Sequence, residues 1–166
     1  EIFTDKRGSF FEAYNENIKS FLGHTDFMQD SISISKKNVL RGMHYQFQEP
    51  MGKMINVLQG KIIEKILDIR RDSPNFGKVV TFEMDSDSNY MIYIPPGFAH
   101  GFLSMCDNTA IMYKQTALYN PHGEGSINPF SNISGLSWPV EESELIVSKK
   151  DLNSQSFDDY SKQGVK

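Results

Sequence analysis

Two histidines lie in segments whose composition suits acid–base chemistry. His44 lies in RGMHYQ (residues 41–46) and His100 in PPGFAHGF (residues 95–102). A single buried histidine is more often structural than catalytic, but two on neighbouring strands of one β-fold would point into a shared cavity. Because histidine exchanges protons near neutral pH, the pair predicts an acid–base site. The other two histidines, His24 and His122, have turn-like surroundings and are expected to be solvated.

A metal site is the first alternative for this pair. Side chains on one face of a strand are two residues apart, so one strand can supply two ligands at that spacing. The residue two after His44 is Gln46, and the residue two after His100 is Phe102. Two histidines alone are an incomplete ligand set for zinc or iron. We therefore expect no metal and no other cofactor.

Strand alternation raises a difficulty around Arg41. In a regular strand Gly42 and His44 share one face, while Arg41 lies on the other. Arg41 and His44 can reach one cavity only if the strand is kinked, and Gly42 is a natural position for a bulge. Without that kink, Arg41 would instead pair with a surface carboxylate.

The elements that must position these residues are mainly strands. One helix is predicted at residues 16–22, with Asn15 as N-cap and Gly23 as the stop. Residues 55–58 and 61–63, joined by Gln59-Gly60, predict a tight hairpin. Other predicted strands cover residues 31–35, 66–69, 79–84, 91–94 and 110–113. Short strands without intervening helices favour an all-β sandwich or barrel.

Composition limits the class of protein. The 166 residues predict a single domain, residues 1–166, with a loosely held polar tail at residues 154–166. A net charge of -4 without a basic run argues against nucleic-acid or anionic-membrane partners. The single cysteine, Cys106, fits a reducing compartment, so a cytoplasmic location is expected. The N-terminus has neither a signal peptide nor an initiator Met, which suggests trimming.

Several motifs together resemble one enzyme family. They are DKRGSFFE (residues 5–12), the strand ending at Gln46 with Lys53 shortly after, residues 68–77, residues 94–102, Tyr113, Tyr119, Glu124 and SKKD (residues 148–151). In this order they resemble the dTDP-4-dehydrorhamnose 3,5-epimerase family of nucleotide-sugar epimerases. The resemblance implies an all-β, cupin-like jelly roll (a double-stranded β-helix) with a few short helices.

The resemblance also implies catalytic roles. His44 would be the general base, oriented by Asp151, because a carboxylate on one ring nitrogen raises the basicity of the other. Tyr113 would be the general acid on the opposite face of the sugar, and Lys53 would stabilise the enolate oxygen. The implied substrate-binding residues are Arg7, Phe10, Glu12, Gln29, Asp30, Ser31, Arg41, Gln46, His100, Tyr119, Glu124 and Lys150.

The implied reaction is inversion at C3, C5 or both carbons of a nucleotide-linked 4-keto-6-deoxy sugar, with dTDP as the expected nucleotide, in deoxysugar synthesis. The alternatives are a 3,4-ketoisomerase and a non-catalytic sugar-binding cupin, the latter if Tyr113 or Asp151 is remote from His44. The family pattern further implies a homodimer that exchanges its N-terminal strand, so that Arg7 and Glu12 complete the neighbour's site. The chain departs from the family motif W-N-D at residues 128–130, which are Asn-Pro-Phe.

Overall fold

The computed structural model describes residues 2–88 and 90–163. Strands dominate, and the three helices are short, which confirms the expected all-β class. The strands are β1 (Ile2–Asp5), β2 (Gly8–Phe11), β3 (Gln29–Ser35), β4 (Val39–Gln46), β5 (Lys53–Gln59), β6 (Lys61–Asp68), β7 (Val79–Asp85), β8 (Ile92–Ile94), β9 (Phe98–Ser104), β10 (Thr109–Gln115), β11 (Glu124–Ser126) and β12 (Ile146–Val147). The helices are α1 (Glu16–Phe21), α2 (Lys149–Leu152) and α3 (Phe157–Lys162), and a 3-10 turn covers Glu142–Glu144.

Two sheets form the body of the jelly roll. One has the strand order β3-β10-β5-β8, and the other has the order β11-β4-β9-β6-β7, with β12 pairing alongside β4. Both are antiparallel apart from the parallel β12–β4 pair. Residues from both sheets form one buried apolar cluster: Ile55, Val57, Ile62, Met84, Ile92, Ile94, Phe102 and Ile111. Burial of such side chains is the main force that holds the sheets together.

The predicted hairpin at Gln59-Gly60 is wrong. Strand β5 pairs with β8 and β10, whereas β6 pairs with β7 and β9, so the turn connects two sheets. Gly60 has a φ of +86°, and a Cβ there would lie 2.6 Å from the Thr109 hydroxyl oxygen. A glycine turn between two apolar strands is typical of hairpins, but here long-range pairing overrides that local signal. The separate strands predicted at 61–63 and 66–69 are one continuous strand, β6.

The helix prediction is confirmed and the prediction of a loose tail is wrong for the residues described. The Asn15 side chain caps α1 by accepting a hydrogen bond from the Ile18 amide. In the tail, the Tyr160 hydroxyl donates to the Ile69 carbonyl at 3.0 Å, and the Arg71 guanidinium donates to the Ser161 carbonyl at 2.9 Å. These contacts fix α3 against the rest of the chain. The tail residues 164–166 lie outside the described residues.

No helix among residues 2–88 and 90–163 is long and apolar enough to cross a membrane.

Candidate active site

A kink at Gly42 decides which side chains of β4 reach the interior. The β4–β9 register shifts between Arg41 and His44, and Gly42 has a φ of +133°. A Cβ at Gly42 would lie 2.4 Å from the Gly101 Cα, so no other residue fits without displacement of the backbone. The shift places Arg41 and His44 on the same cavity. The predicted bulge is therefore confirmed, and its cause is the close approach of two glycine backbones.

The cavity lies between the two sheets and has a volume of about 380 Å³. Strands β3, β5 and β10 of one sheet contribute to its wall, as do β4, β9 and β11 of the other. Its lining consists of Gln29, Ser31, Arg41, His44, Lys53, His100, Phe102, Tyr113, Gln115, Tyr119 and Glu124. Most of the residues implied by the family resemblance are thus brought together at one place.

His44 and Asp151 form a hydrogen-bonded pair. The Nε2 atom of His44 lies 2.7 Å from Oδ1 of Asp151, and Asp151 is only 3% exposed. The parallel pairing of β12 with β4 brings α2 to this position, and the Ser148 hydroxyl caps that helix by accepting from the Asp151 amide. An ionised carboxylate can only accept, so Nε2 of the neutral ring carries the hydrogen and Nδ1 is the free basic atom.

The pKa of Asp151 agrees with this role. Burial alone would raise it, but the hydrogen bond from His44 and the charge of His44 outweigh burial, so the pKa lies below its ordinary value. Asp151 therefore remains an anion at neutral pH. It orients the imidazole and stabilises the imidazolium that forms when His44 takes a proton.

A second histidine chain lies beside the first. His100 is directly opposite His44 in the β4–β9 pair. Its Nδ1 lies 2.8 Å from Oε1 of Glu64, which is fully buried, and its Nε2 lies 2.9 Å from Nζ of Lys53. Burial lowers the pKa of Lys53 and holds the pKa of His100 well below its usual range. His100 is accordingly a neutral ring between the carboxyl group of Glu64 and the side-chain nitrogen of Lys53.

Tyr113 faces the histidines from the other sheet. Its ring centroid lies 6.5 Å from that of His100, and its hydroxyl lies 3.2 Å from the Ser33 hydroxyl. Burial raises its pKa well above that of a free phenol, although the Ser33 hydrogen bond acts in the opposite direction. Tyr113 therefore keeps its proton over the whole neutral range and can donate it.

Polar groups at one end of the cavity form a connected set. The Tyr119 hydroxyl donates to Oε2 of Glu124 at 3.0 Å, and the Lys150 ammonium group binds the same carboxylate. Burial would raise the pKa of Glu124, but these two hydrogen bonds hold it below its ordinary value. Nearby, Ser31 donates to Gln115 at 2.7 Å. The set therefore contains an anion, Glu124, a cation, Lys150, and the aromatic residue Tyr119, which is 52% exposed.

The remaining implied site residues do not line the cavity of this single chain. Gln46 is buried and satisfies backbone groups, including the carbonyl oxygens of Glu49 and Leu118. Asp30 forms an ion pair with Lys114. The N-terminal residues Arg7, Phe10 and Glu12 are exposed, on β2 or next to it. Arg7 pairs with Asp5, and Glu12 accepts from the Asn15 side chain.

Three residues of the site were missed from the sequence. Phe102 and Gln115 lie two positions after His100 and Tyr113, so strand alternation could have placed them on the same face. Glu64 interrupts the apolar run of residues 62–67, and an ionisable residue within a buried strand is itself a signal.

Within the part of the chain that the structure describes, no three His, Cys, Asp or Glu side chains are grouped so as to hold a metal ion.

The fold and this cavity define a class: a cupin-like jelly roll with a histidine–carboxylate pair and a facing tyrosine, which together are suited to proton transfer at carbon. A family model described as dTDP-4-dehydrorhamnose 3,5-epimerase matches residues 1–159. The chain belongs to this family.

Relatives and solved structures agree. The dTDP-4-dehydrorhamnose 3,5-epimerase of Methanothermobacter thermautotrophicus is 38% identical over 155 residues, which cover 92% of this chain and 84% of that protein. The dTDP-6-deoxy-D-glucose-3,5-epimerase of Legionella pneumophila, in complex with dTDP-4-keto-L-rhamnose, matches with a TM-score of 0.90 at 36% identity, over 95% of this chain and 85% of that one. A 3'-monoepimerase from Streptomyces bikiniensis, in complex with dTDP-quinovose, matches with a TM-score of 0.88 at 28% identity, over 95% of this chain and 81% of that one.

Proposed function

We propose that the protein inverts C3 and C5 of a dTDP-linked 4-keto-6-deoxy sugar, as a step of deoxysugar biosynthesis. The observation that carries this proposal is the arrangement of His44 with Asp151 and of Tyr113 on facing walls of one cavity. Inversion at carbon needs a base on one face of the substrate and an acid on the other. The nature of the substrate is inferred from the dTDP-sugars bound by the two solved relatives.

The reaction begins at His44. Its Nδ1 atom takes the proton from a carbon next to the ketone, and the electron pair of that C–H bond moves onto the carbonyl oxygen. The Lys53 ammonium group stabilises the resulting enolate, because positive charge has its greatest effect in a site that excludes water. Tyr113 then donates its proton to the opposite face of the same carbon. Exchange with water returns a proton to Tyr113 and removes one from His44.

The nucleotide is held by the cavity's outer polar groups. Arg41 and Lys150 supply positive charge and hydrogen-bond donors for the sugar and diphosphate. Tyr119 supplies an exposed ring on which a base can stack. The non-catalytic alternative is disfavoured by the 2.7 Å contact of Asp151 with His44 and by the presence of Tyr113 in the same cavity.

We further propose a cytoplasmic homodimer in which the β1–β2 hairpin binds the neighbouring copy. The hairpin is exposed along both strands, with Phe3 55% and Phe10 66% exposed. Strand β3 is an edge strand, and its outward side chains Ile32 and Ile34 are 63% and 68% exposed. Exposed apolar edges are normally covered in native β-proteins. Exchange would bring Arg7 and Glu12 of one copy to the cavity of the other.

Proton NMR in D₂O tests the proposed reaction. The purified protein is incubated with dTDP-4-keto-6-deoxyglucose, and the C3 and C5 signals are followed together with the sugar's ring couplings. We expect loss of both signals and the couplings of the inverted sugar. Exchange at C3 alone would show a monoepimerase. Migration of the ketone to C3, or an unchanged spectrum, would contradict the proposal.

A further inference from the structure

Glu64 is a buried carboxyl group that the proposed reaction does not use. It is 0% exposed, and its Oε2 atom has no hydrogen-bond partner among the described residues. Its Oε1 atom lies 2.8 Å from Nδ1 of His100. An ionised carboxylate in such a place is costly unless an opposite charge compensates it. The burial of Glu64 on β6 therefore requires an explanation, and a role in the active site would provide one.

The chain of contacts from Glu64 ends at the cavity. His100 contacts Glu64 through Nδ1 and Lys53 through Nε2, at 2.8 Å and 2.9 Å. An ammonium group has donors and no acceptor, so a charged Lys53 requires a lone pair on Nε2. The hydrogen of the neutral ring is then on Nδ1, which donates it to Oε1 of Glu64, and this hydrogen bond is strongest when Glu64 is ionised. The tautomer of His100 thus follows from the charge on Lys53, and an ionised Glu64 stabilises both.

We propose that Glu64 is a positioning residue: it fixes the tautomer of His100 and supplies the negative charge that keeps Lys53 an ammonium ion inside the cavity. This proposal rests on the proposed function, in which that ammonium stabilises an enolate. The same number of protons can also be arranged with Glu64 neutral, Nε2 of His100 protonated and Lys53 as a free amine. That second arrangement presents no positive charge to an oxyanion.

The pKa values of Lys53 and Glu64 each depend on the charge of the other group, which supports the proposal. Burial lowers the pKa of Lys53. The charge of Glu64 acts against burial, and the charge of Glu124 on β11 does so to a smaller extent. Burial raises the pKa of Glu64 well above its ordinary value, and Lys53 acts against burial. His44 and Arg41 on β4 and Tyr113 on β10 are the other titratable or charged groups that line this part of the cavity. Tyr113 keeps its proton to a pH above its usual range, so Lys53 is the group that limits activity on the alkaline side.

The pH profile of epimerisation tests the proposal in Glu64→Gln, which keeps the side-chain volume and a hydrogen-bond acceptor but removes the charge. Lys53 acts in its protonated form, which is lost as the pH rises. Without Glu64 this loss occurs earlier, so we expect the alkaline limb to move at least about one pH unit lower. At neutral pH we expect kcat to fall by about tenfold or more, with the acid limb unmoved and KM little changed.

Two controls separate this role from packing. Lys65→Met alters the neighbouring residue of β6, whose side chain lies on the other face and contacts Thr81 and Gly135; its pH limbs should match those of the parent. Glu64→Asp keeps the charge, so its alkaline limb should lie closer to that of the parent than the limb of Glu64→Gln does. A lower kcat in Glu64→Gln with both limbs unmoved would overturn the proposal.

The ¹⁵N chemical shifts of His100 in the unmodified protein give a test that needs neither a folded variant nor activity. We expect the Nδ1–H tautomer at neutral pH, and Nε2–H would overturn the proposal. If the parent failed to epimerise any keto sugar while His100 showed the Nδ1–H tautomer, the proposed function would fail and the role of Glu64 in fixing that tautomer would remain.

Discussion

His44 and His100 lie directly opposite each other in the antiparallel pair of β4 and β9, yet each ring contacts a different carboxyl group. His44 contacts Asp151 on α2 through Nε2, whereas His100 contacts Glu64 on β6 through Nδ1. The two rings therefore expose different nitrogens to the cavity side. This difference distinguishes His44, the proposed base, from His100, whose ring accepts a hydrogen bond from Lys53 in the proposed arrangement.

Substitutions of the His44–Asp151 pair should separate chemistry from binding. We expect His44→Asn to abolish both solvent deuterium exchange and epimerisation, because no other base occupies its position. Asp151→Asn should lower kcat by about 10²–10⁴-fold, since the ring loses its orienting anion. Calorimetric titration with dTDP should show nearly unchanged affinity in both variants. Normal turnover by the folded fraction of His44→Asn would show that His44 is structural.

Gly42→Ala should destabilise the fold strongly. The new Cβ would lie 2.4 Å from the Gly101 Cα, at a φ of +133° that L-residues rarely adopt. We expect a loss of at least about 2 kcal/mol in the free energy of unfolding, measured by denaturant titration. Gly8→Ala is the matched control, because Gly8 has a φ of +127° with nothing within 4 Å. It should cost about 1 kcal/mol, and equal losses would show that contact with Gly101 is unimportant.

Asp68 should make stability depend on pH in the acid range. The side-chain hydrogen bond from Arg70 lowers the pKa of Asp68 to about 2, although burial acts in the opposite direction. A lowered carboxyl pKa stabilises the fold above the unfolded pKa of about 4, and that contribution is lost as the pH falls towards 2. Because the Arg70 side chain is 48% exposed, we expect about 1–2 kcal/mol.

Asp68→Asn should remove that dependence. Denaturant titrations at several pH values between about 5 and 2 should give a shallower slope for the variant than for the parent. Parallel slopes would mean that the Arg70 contact contributes no charge-dependent stability.

Arg7 tests the proposed exchange of the N-terminal hairpin. If Arg7 reaches the neighbour's cavity, Arg7→Ala should weaken dTDP binding by about tenfold without changing the melting temperature. Lys6→Ala is the control, because Lys6 is an adjacent exposed cation in the same turn and should have no such effect. Sedimentation should show a dimer for all three proteins. A monomeric parent would contradict the exchange.

The sequence contained enough to predict the strand class, the α1 cap and the kink at Gly42, because these depend on alternation and on single special residues. The turn at Gly60 was misassigned, since its local chemistry is the same whether the two strands pair or belong to different sheets. Strand β9 was not among the predicted strands, because its flanking prolines and glycines are typical of turns. Long-range pairing decides such cases.

Only part of the site could be predicted from the sequence. His44 and His100 could be found because they lie in unusual segments, and strand alternation showed that Arg41 needed a kink to join them. Asp151 could not be paired with His44 from spacing, since 107 positions separate them and the parallel β12 brings them together. Glu64 has no local motif, and its role depends on the register of β6 with β9, which places His100 opposite Ile66.

Inversion by two groups on facing sheets is tested most directly by Tyr113→Phe in D₂O. The ring and its packing remain, while the hydroxyl that contacts Ser33 is removed. His44 can still take and return protons on its own face. We therefore expect continued deuterium incorporation next to the ketone with retained configuration, while inversion falls by about 10²–10⁴-fold. Inversion at the parent rate in Tyr113→Phe would contradict the account.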